Sequence, residues 1–274
     1  MKTILITGAS KGIGKSAAIL FANMGWNVVA TMRAPENETI LTQYENVLVT
    51  KLDVQNKETI EKAITQGIES FGNIDLVVNN AGYGAFGIFE AASEEQIQRQ
   101  FDVNVFGIMR VIKEILPHFR AKRNGMIINI TSQGGRITFP SFSLYHATKF
   151  AVNGFSEALT FELAPFNIRV KVVEPGATLT DFDRGSMDFL RDKNLQDYSH
   201  YEELVKDGYG KMYKEPNSPE IIAKVIYTAA TDESNQLRYP AGQDAEKYLL
   251  KEKKELSDEE FMKKMGQKFS LIME

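Results

Sequence analysis

The chain has 274 residues, 43% apolar and 25% charged, with a net charge of −4. It is long enough to bury the core of one large α/β domain, and its mildly acidic balance argues against electrostatic capture of nucleic acid or an anionic membrane. Cysteine is absent, which excludes disulfides and thiolate chemistry, and His118, His146 and His200 lack metal-ligand spacing, so no metal is expected.

The first apolar run, Ile4–Ile6, is too short for a signal-peptide core and predicts a buried strand. A helix is expected from Gly14 to Met24, a second strand over Val28–Met32 and a third over Val47–Val54. A helix over Lys57–Ser70 then leads to a strand over Ile74–Val78. One long helix is predicted for Glu94–Phe119, followed by a strand over Met126–Ile130, a helix over Leu144–Leu163 and a strand over Ile168–Val173. Helix Pro219–Ala230 and a short strand near Leu237–Tyr239 come last.

Strands that are apolar throughout, rather than alternating, imply a parallel sheet buried on both faces. Repeated βα units imply right-handed crossovers. The fold class is therefore α/β: a single-domain Rossmann-type doubly wound parallel sheet flanked by helices. Residues 1–243 are expected to form the dinucleotide-binding and catalytic domain, and 244–274 a C-terminal helical extension. Segment 177–216 is long, and it mixes Phe182, Phe189, Leu190 and Leu195 with Asp183, Arg184, Asp188, Arg191 and Asp192. It is expected to form short amphipathic helices serving as a substrate lid. No segment has the ~18 uninterrupted apolar residues of a membrane span, so a soluble, cytoplasmic protein is expected.

The turn after the first strand reads Thr7-Gly8-Ala9-Ser10-Lys11-Gly12-Ile13-Gly14. Glycines let backbone approach a ligand, and the following helix start offers free N–H groups to a pyrophosphate. Gly8, Ser10, Lys11, Gly12, Ile13 and Gly14 are the candidate cradle, although a tight turn without a ligand would read the same way. Asn79-Asn80-Ala81-Gly82 ends the fourth strand. Tyr145 and Lys149, four residues apart, share one helix face. A nearby ammonium favours the ionised form of a tyrosine whose ordinary pKa is ~10, as general acid/base work near neutrality requires.

Together, Thr-Gly-x-x-x-Gly-x-Gly, Asn-Asn-Ala-Gly and Tyr-x-x-x-Lys resemble the short-chain dehydrogenase/reductases from Met1 to about Gly242. Val29–Pro35 and Arg238–Asp244 are most similar to the hydroxysteroid and retinol dehydrogenase-like branch. The resemblance implies a catalytic set of Asn104, Ser132, Tyr145 and Lys149. Ser132 would hold a substrate carbonyl oxygen, and Asn104, an unfavourable residue within a helix, would extend a proton path through Lys149. It also implies cofactor contacts from Asn80, Ala81, Gly82, Tyr145, Lys149, Pro175, Gly176, Thr178 and Thr180. Asp53 and Val54 match the positions that meet adenine, though a solvated Asp ending a strand reads the same.

An acid after the second strand would select NAD. Here Met32 and Arg33 stand instead, and with Lys11 they favour the 2′-phosphate of NADP(H). The expected reaction is hydride transfer between NADP(H) and a ketone, aldehyde or alcohol, on a bulky apolar small molecule. The alternatives are a β-ketoacyl thioester reductase and a non-catalytic member that senses the dinucleotide. A homodimer or homotetramer is expected through the helices Glu94–Phe119 and Phe150–Leu163.

Overall fold

The computed structural model describes residues 1–179, 186–212 and 216–271. The chain begins with β1 (Thr3–Thr7), α1 (Gly12–Asn23), β2 (Asn27–Met32), β3 (Val47–Lys51) and α2 (Lys57–Phe71). It continues through β4 (Leu76–Asn79), β5 (Gly84–Gly87), α3 (Glu94–Phe101), α4 (Gly107–Lys122), β6 (Gly125–Ile130), α5 (Ser143–Leu163) and β7 (Ile168–Pro175). The last elements are β8 (Met187–Leu190), α6 (Ser199–Met212), α7 (Pro219–Thr231), β9 (Arg238–Ala241) and α8 (Asp258–Lys268).

Seven strands form one parallel sheet in the order β3-β2-β1-β4-β6-β7-β9. Alternate residues serve opposite faces. Ile4, Ile6, Val28 and Ala30 pack under α1 and α7, while Leu5, Val29 and Val77 pack under α2, α4 and α5. Burial on both faces is why the strands are apolar without alternation, and the doubly wound sheet follows as expected. Helix starts obey local chemistry. The Asn56 side chain accepts the Thr59 N–H to cap α2, and Ser93 and Gln96 form a reciprocal capping box on α3.

Three parts of the chain depart from the sequence pattern. The third strand stops at Lys51 rather than Val54, because Lys51 pairs with Met32, the last residue of its only partner. The predicted helix Glu94–Phe119 is broken into α3 and α4 by a π-wound turn at Asp102–Phe106. Among the described residues of 177–216 there are a strand, β8, paired in parallel with β5, and one α-helix, α6, where short amphipathic helices were expected. Thr180, Phe182, Asp183 and Arg184 lie outside the described residues.

The C-terminal residues pack back onto the domain. Residues 243–255 are helical in three pieces, the middle one, Glu246–Glu252, π-wound. Tyr248, Leu249, Phe261, Met265 and Phe269 bury against Ile137 and Phe139, with Tyr209 of α6 packed on the cluster. Glu252 turns toward α8 and pairs with Lys264 at 3.3 Å. No described helix is long and apolar enough to cross a membrane.

Phe269 is 1% exposed, and its ring stacks edge-on against Tyr209 at 4.8 Å. Phe269→Ala should therefore cost about 3–5 kcal/mol, as large buried aromatics do. Guanidinium unfolding would measure it, and a loss below ~1 kcal/mol would show that the cluster collapses around the gap.

Candidate active site

Strand order reverses between β1 and β4, so the loops after them leave toward opposite faces and open a crevice at their carboxyl ends. Gly8 adopts φ +70°, and a side chain there would meet Ala81 Cα at 3.0 Å. Asn80 Nδ2 donates to the carbonyls of Thr7 and Gly8 at 2.9 and 3.1 Å. Thr7 Oγ1 accepts the N–H groups of Asn80 and Ala81, both at 3.0 Å. The first and second cofactor motifs are thus held as one wall.

That wall belongs to a cleft of about 830 Å³. Among the residues expected from sequence to bind cofactor, Gly8, Ser10, Lys11, Gly12, Ile13 and Asn80, Ala81, Gly82 line it. So do Pro175, Gly176 and Thr178 at the far end of β7. Gly14 sits behind the wall, where a Cβ would lie 2.4 Å from the Gly8 carbonyl. Thr180 is outside the described residues. At one end of the cleft, Met32, Arg33, Asp53 and Val54 line the rim with Lys11. Arg33 and Lys11 are exposed, and neither makes an ion pair among the described residues. The Asp53 carboxylate accepts the Gln55 N–H at 3.0 Å, a turn that leads into α2.

On the cleft floor, Ser132, Tyr145 and Lys149 converge. Ser132 follows β6, and its Oγ accepts the Gly134 N–H at 3.0 Å. Its hydroxyl also hydrogen-bonds the Tyr145 phenol. Lys149 Nζ donates to the Ile130 carbonyl at 3.0 Å and lies 5.6 Å from the Tyr145 ring centre. Burial pushes the Tyr145 phenol up to about 12, with the Ser132 hydrogen bond pulling the other way. Burial also depresses the Lys149 ammonium to about 8. The sequence suggested an ammonium that lowers the phenol's pKa. In the structure desolvation dominates both groups and moves their proton affinities apart, the phenol up to about 12 and the ammonium down to about 8.

Asn104 does not line the cleft. The π turn aims it at the backbone behind the wall, where Oδ1 accepts the Tyr83 N–H at 3.0 Å and Nδ2 donates to the Tyr83 carbonyl at 2.8 Å. Nδ2 also reaches Thr148 Oγ1 at 3.3 Å. It stands close to Lys149: a Cβ on Gly82 would lie 3.1 Å from Asn104 Oδ1 and 3.9 Å from Lys149 Nζ.

The roof at the other end joins Phe189, part of the expected lid, to three rings that no sequence pattern singled out. Phe86 on β5 meets Phe142 at 4.9 Å, Tyr209 at 5.8 Å and Phe189 on β8 at 6.3 Å between ring centres. Phe142 lies 5.9 Å from Tyr145. These rings come from four segments, so no periodicity could have joined them. Besides Phe189 in the expected lid, the available signal was the position of Phe86 just after Asn79-Asn80-Ala81-Gly82. Among the described residues, no group of His, Asp and Glu could hold a metal ion.

His146, adjacent to Tyr145, stitches the Ser132 turn to α5. Its Nδ1 donates to the Gly134 carbonyl at 2.7 Å, and its Nε2 accepts the Phe139 N–H at 2.9 Å. The bond from Phe139 needs neutral imidazole, since a protonated Nε2 cannot accept, and burial depresses its pKa from 6.5 to about 4. The unfolded chain therefore takes up this proton first. The stabilisation is present above pH 6.5 and is lost as pH falls toward 4, by about 3 kcal/mol. His146→Gln should be less stable than wild type at pH 7, and the gap should close by roughly that amount at pH 4. Urea unfolding of both proteins across this range checks it; parallel pH curves would refute it.

The pattern of the short chain dehydrogenase family matches residues 2–189. An uncharacterized oxidoreductase of Schizosaccharomyces pombe is 45% identical over 213 residues, 77% of this chain and 88% of its own. A solved short-chain dehydrogenase from Streptomyces avermitilis is 32% identical, with a TM-score of 0.80 covering 98% of this chain and 97% of its own. ElxO, solved with NADP bound, is 28% identical, with a TM-score of 0.71 covering 87% of this chain and 97% of its own. With its parallel sheet and its glycine-loop, Asn-Asn-Ala-Gly and Tyr-x-x-x-Lys motifs gathered at one cleft, the chain belongs to the short-chain dehydrogenase family of oxidoreductases.

Proposed function

We propose that the protein is an NADP(H)-dependent reductase of bulky apolar ketones or aldehydes, running in reverse as an alcohol dehydrogenase. One observation carries this reading: Ser132, Tyr145 and Lys149 share a cleft with the glycine loop and Arg33 on one side and an aromatic roof on the other. The donor set suits a dinucleotide. Gly8 to Ile13 offer backbone N–H groups to the pyrophosphate, Arg33 and Lys11 suit a 2′-phosphate, and Pro175, Gly176 and Thr178 border the nicotinamide end. Binding of NADP by ElxO supports the choice of cofactor.

When bound, NADPH supplies the hydride that reduces the carbonyl carbon. Ser132 donates a hydrogen bond to the carbonyl oxygen, which holds it against the phenol and stabilises the charge that develops there. Tyr145 delivers its proton to that oxygen. Lys149, fixed by the Ile130 carbonyl, favours the phenolate left behind by its charge. Asn104 steadies Tyr83 and the neighbouring Gly82 behind Lys149. The Phe86, Phe142, Phe189 and Tyr209 rings suit an apolar substrate body, and segment 177–216 serves as its lid. The exposed Phe106, Phe150 and Phe161 on the π turn and α5 suit pairing of two copies.

Tyr145→Phe keeps the ring and removes the transferable proton. Ketone-dependent NADPH oxidation, followed by absorbance, should fall by ~10²-fold or more while NADPH binding stays nearly intact. Retention of a tenth of wild-type turnover would sink the acid/base role. Arg33→Ala should weaken NADPH binding about 10- to 100-fold and NADH binding far less, the worth of a charge-assisted phosphate contact. Titrations giving equal losses for both dinucleotides would remove Arg33 as the reader of the 2′-phosphate.

A further inference from the structure

Asp244, just past β9, was assigned no role in the cleft from sequence, yet its carboxylate joins three separate segments of it. Oδ2 accepts the Ala177 N–H at 2.7 Å and Gln133 Nε2 at 3.0 Å. Oδ1 accepts Asn217 Nδ2 at 2.7 Å. Ala177 continues the Pro175-Gly176 turn, Gln133 follows Ser132, and Asn217 lies where the chain returns from the lid segment. The turns are neighbours: Ser132 Oγ lies 3.5 Å from the Pro175 carbonyl. Gly176 leaves the carboxylate its room, since a Cβ there would stand 1.9 Å from Asp244 Oδ1.

All three partners are donors, which selects a carboxylate rather than its amide. An ionised Asp only accepts and has lone pairs for all three bonds, whereas Asn must turn N–H groups toward at least one donor. Asn217 has little freedom to compensate. Its Nδ2 also donates to the Ala177 carbonyl at 2.8 Å, and its Oδ1 accepts the Gln243 N–H at 3.2 Å.

We infer that Asp244 is a positioning residue: it fixes the spacing between Ser132, which orients the substrate carbonyl, and the Pro175-Gly176-Ala177 turn at the nicotinamide end. This rests on the proposed use of NADP(H). Asp244 touches no reacting atom and acts through Gln133 and Ala177. A shift of either turn misaligns the reacting groups while leaving the Arg33 end of the cleft undisturbed.

Asp244→Asn and Asp244→Glu test this, the second keeping the charge but being one methylene too long for the space against Gly176. Fluorescence titration would compare NADPH with 2′,5′-ADP, which carries only the adenine end, alongside steady-state kinetics on an aryl ketone. Asp244→Asn should raise the NADPH dissociation constant about tenfold, leave that of 2′,5′-ADP within about twofold, and lower kcat more than it raises the ketone KM. Asp244→Glu should show the same pattern if geometry matters as well as charge. Unchanged NADPH binding and kcat in both variants would overturn the inference. So would equal weakening of both ligands with a lowered melting temperature, which would mark a residue needed only for folding. A wild-type protein that binds neither ligand would remove the dinucleotide reading itself, and this inference with it.

Discussion

Where two neighbouring parallel strands send their chains to opposite faces of a sheet, no third strand satisfies the backbone left between them. The organisation of this cleft depends on how the gap between β1 and β4 is closed. Thr7 and Asn80 close it by trading side-chain bonds for each other's backbone groups. Buried peptide groups would otherwise stand unpaired at a cost of ~1–3 kcal/mol each. The same bonds hold the glycine loop against Ala81. A structural requirement of the sheet thus creates one wall of the cleft.

Across the crevice, burial does the chemical tuning. The phenol and the ammonium are each pushed toward their neutral form, from opposite directions. Both groups therefore hold their neutral forms over a wider pH range than free tyrosine and lysine do. The cost of burying them is limited by specific partners, Ser132 for the phenol and the Ile130 carbonyl for the ammonium. His146, one residue from the tyrosine, is kept neutral by the same enclosure and used only as a rivet.

The sheet was legible because every central strand is buried on both faces and so is written in Val, Ile and Leu. The glycine loop and the Tyr145–Lys149 pair were legible because short spacing fixes their geometry. Strand ends were less so: β3 stops where β2 stops, a tertiary fact. The π turn at Asp102–Phe106 left one trace, an asparagine inside a helix, but nothing in the sequence says that it grips Tyr83. The pairing of β5 with β8 was invisible because each run is four residues long and the partners are about a hundred residues apart. Asp244 was read as the end of a family-like phrase and the start of a helical extension, without a role, since its three partners are assembled by the fold.

The placement of the C-terminal residues has a consequence for the order in which the molecule can be built. On a ribosome the chain emerges from its N-terminus, and all seven sheet strands are available once Ala241 has appeared. The carboxylate that joins the turns beside Ser132 and Gly176, and the aromatic cluster that backs Tyr209, come from residues made after that point. The sheet can therefore assemble first, while the cleft takes its finished shape only when the final thirty or so residues fold back over it. A chain cut short near β9 keeps every strand of the sheet and loses the parts that set its cleft.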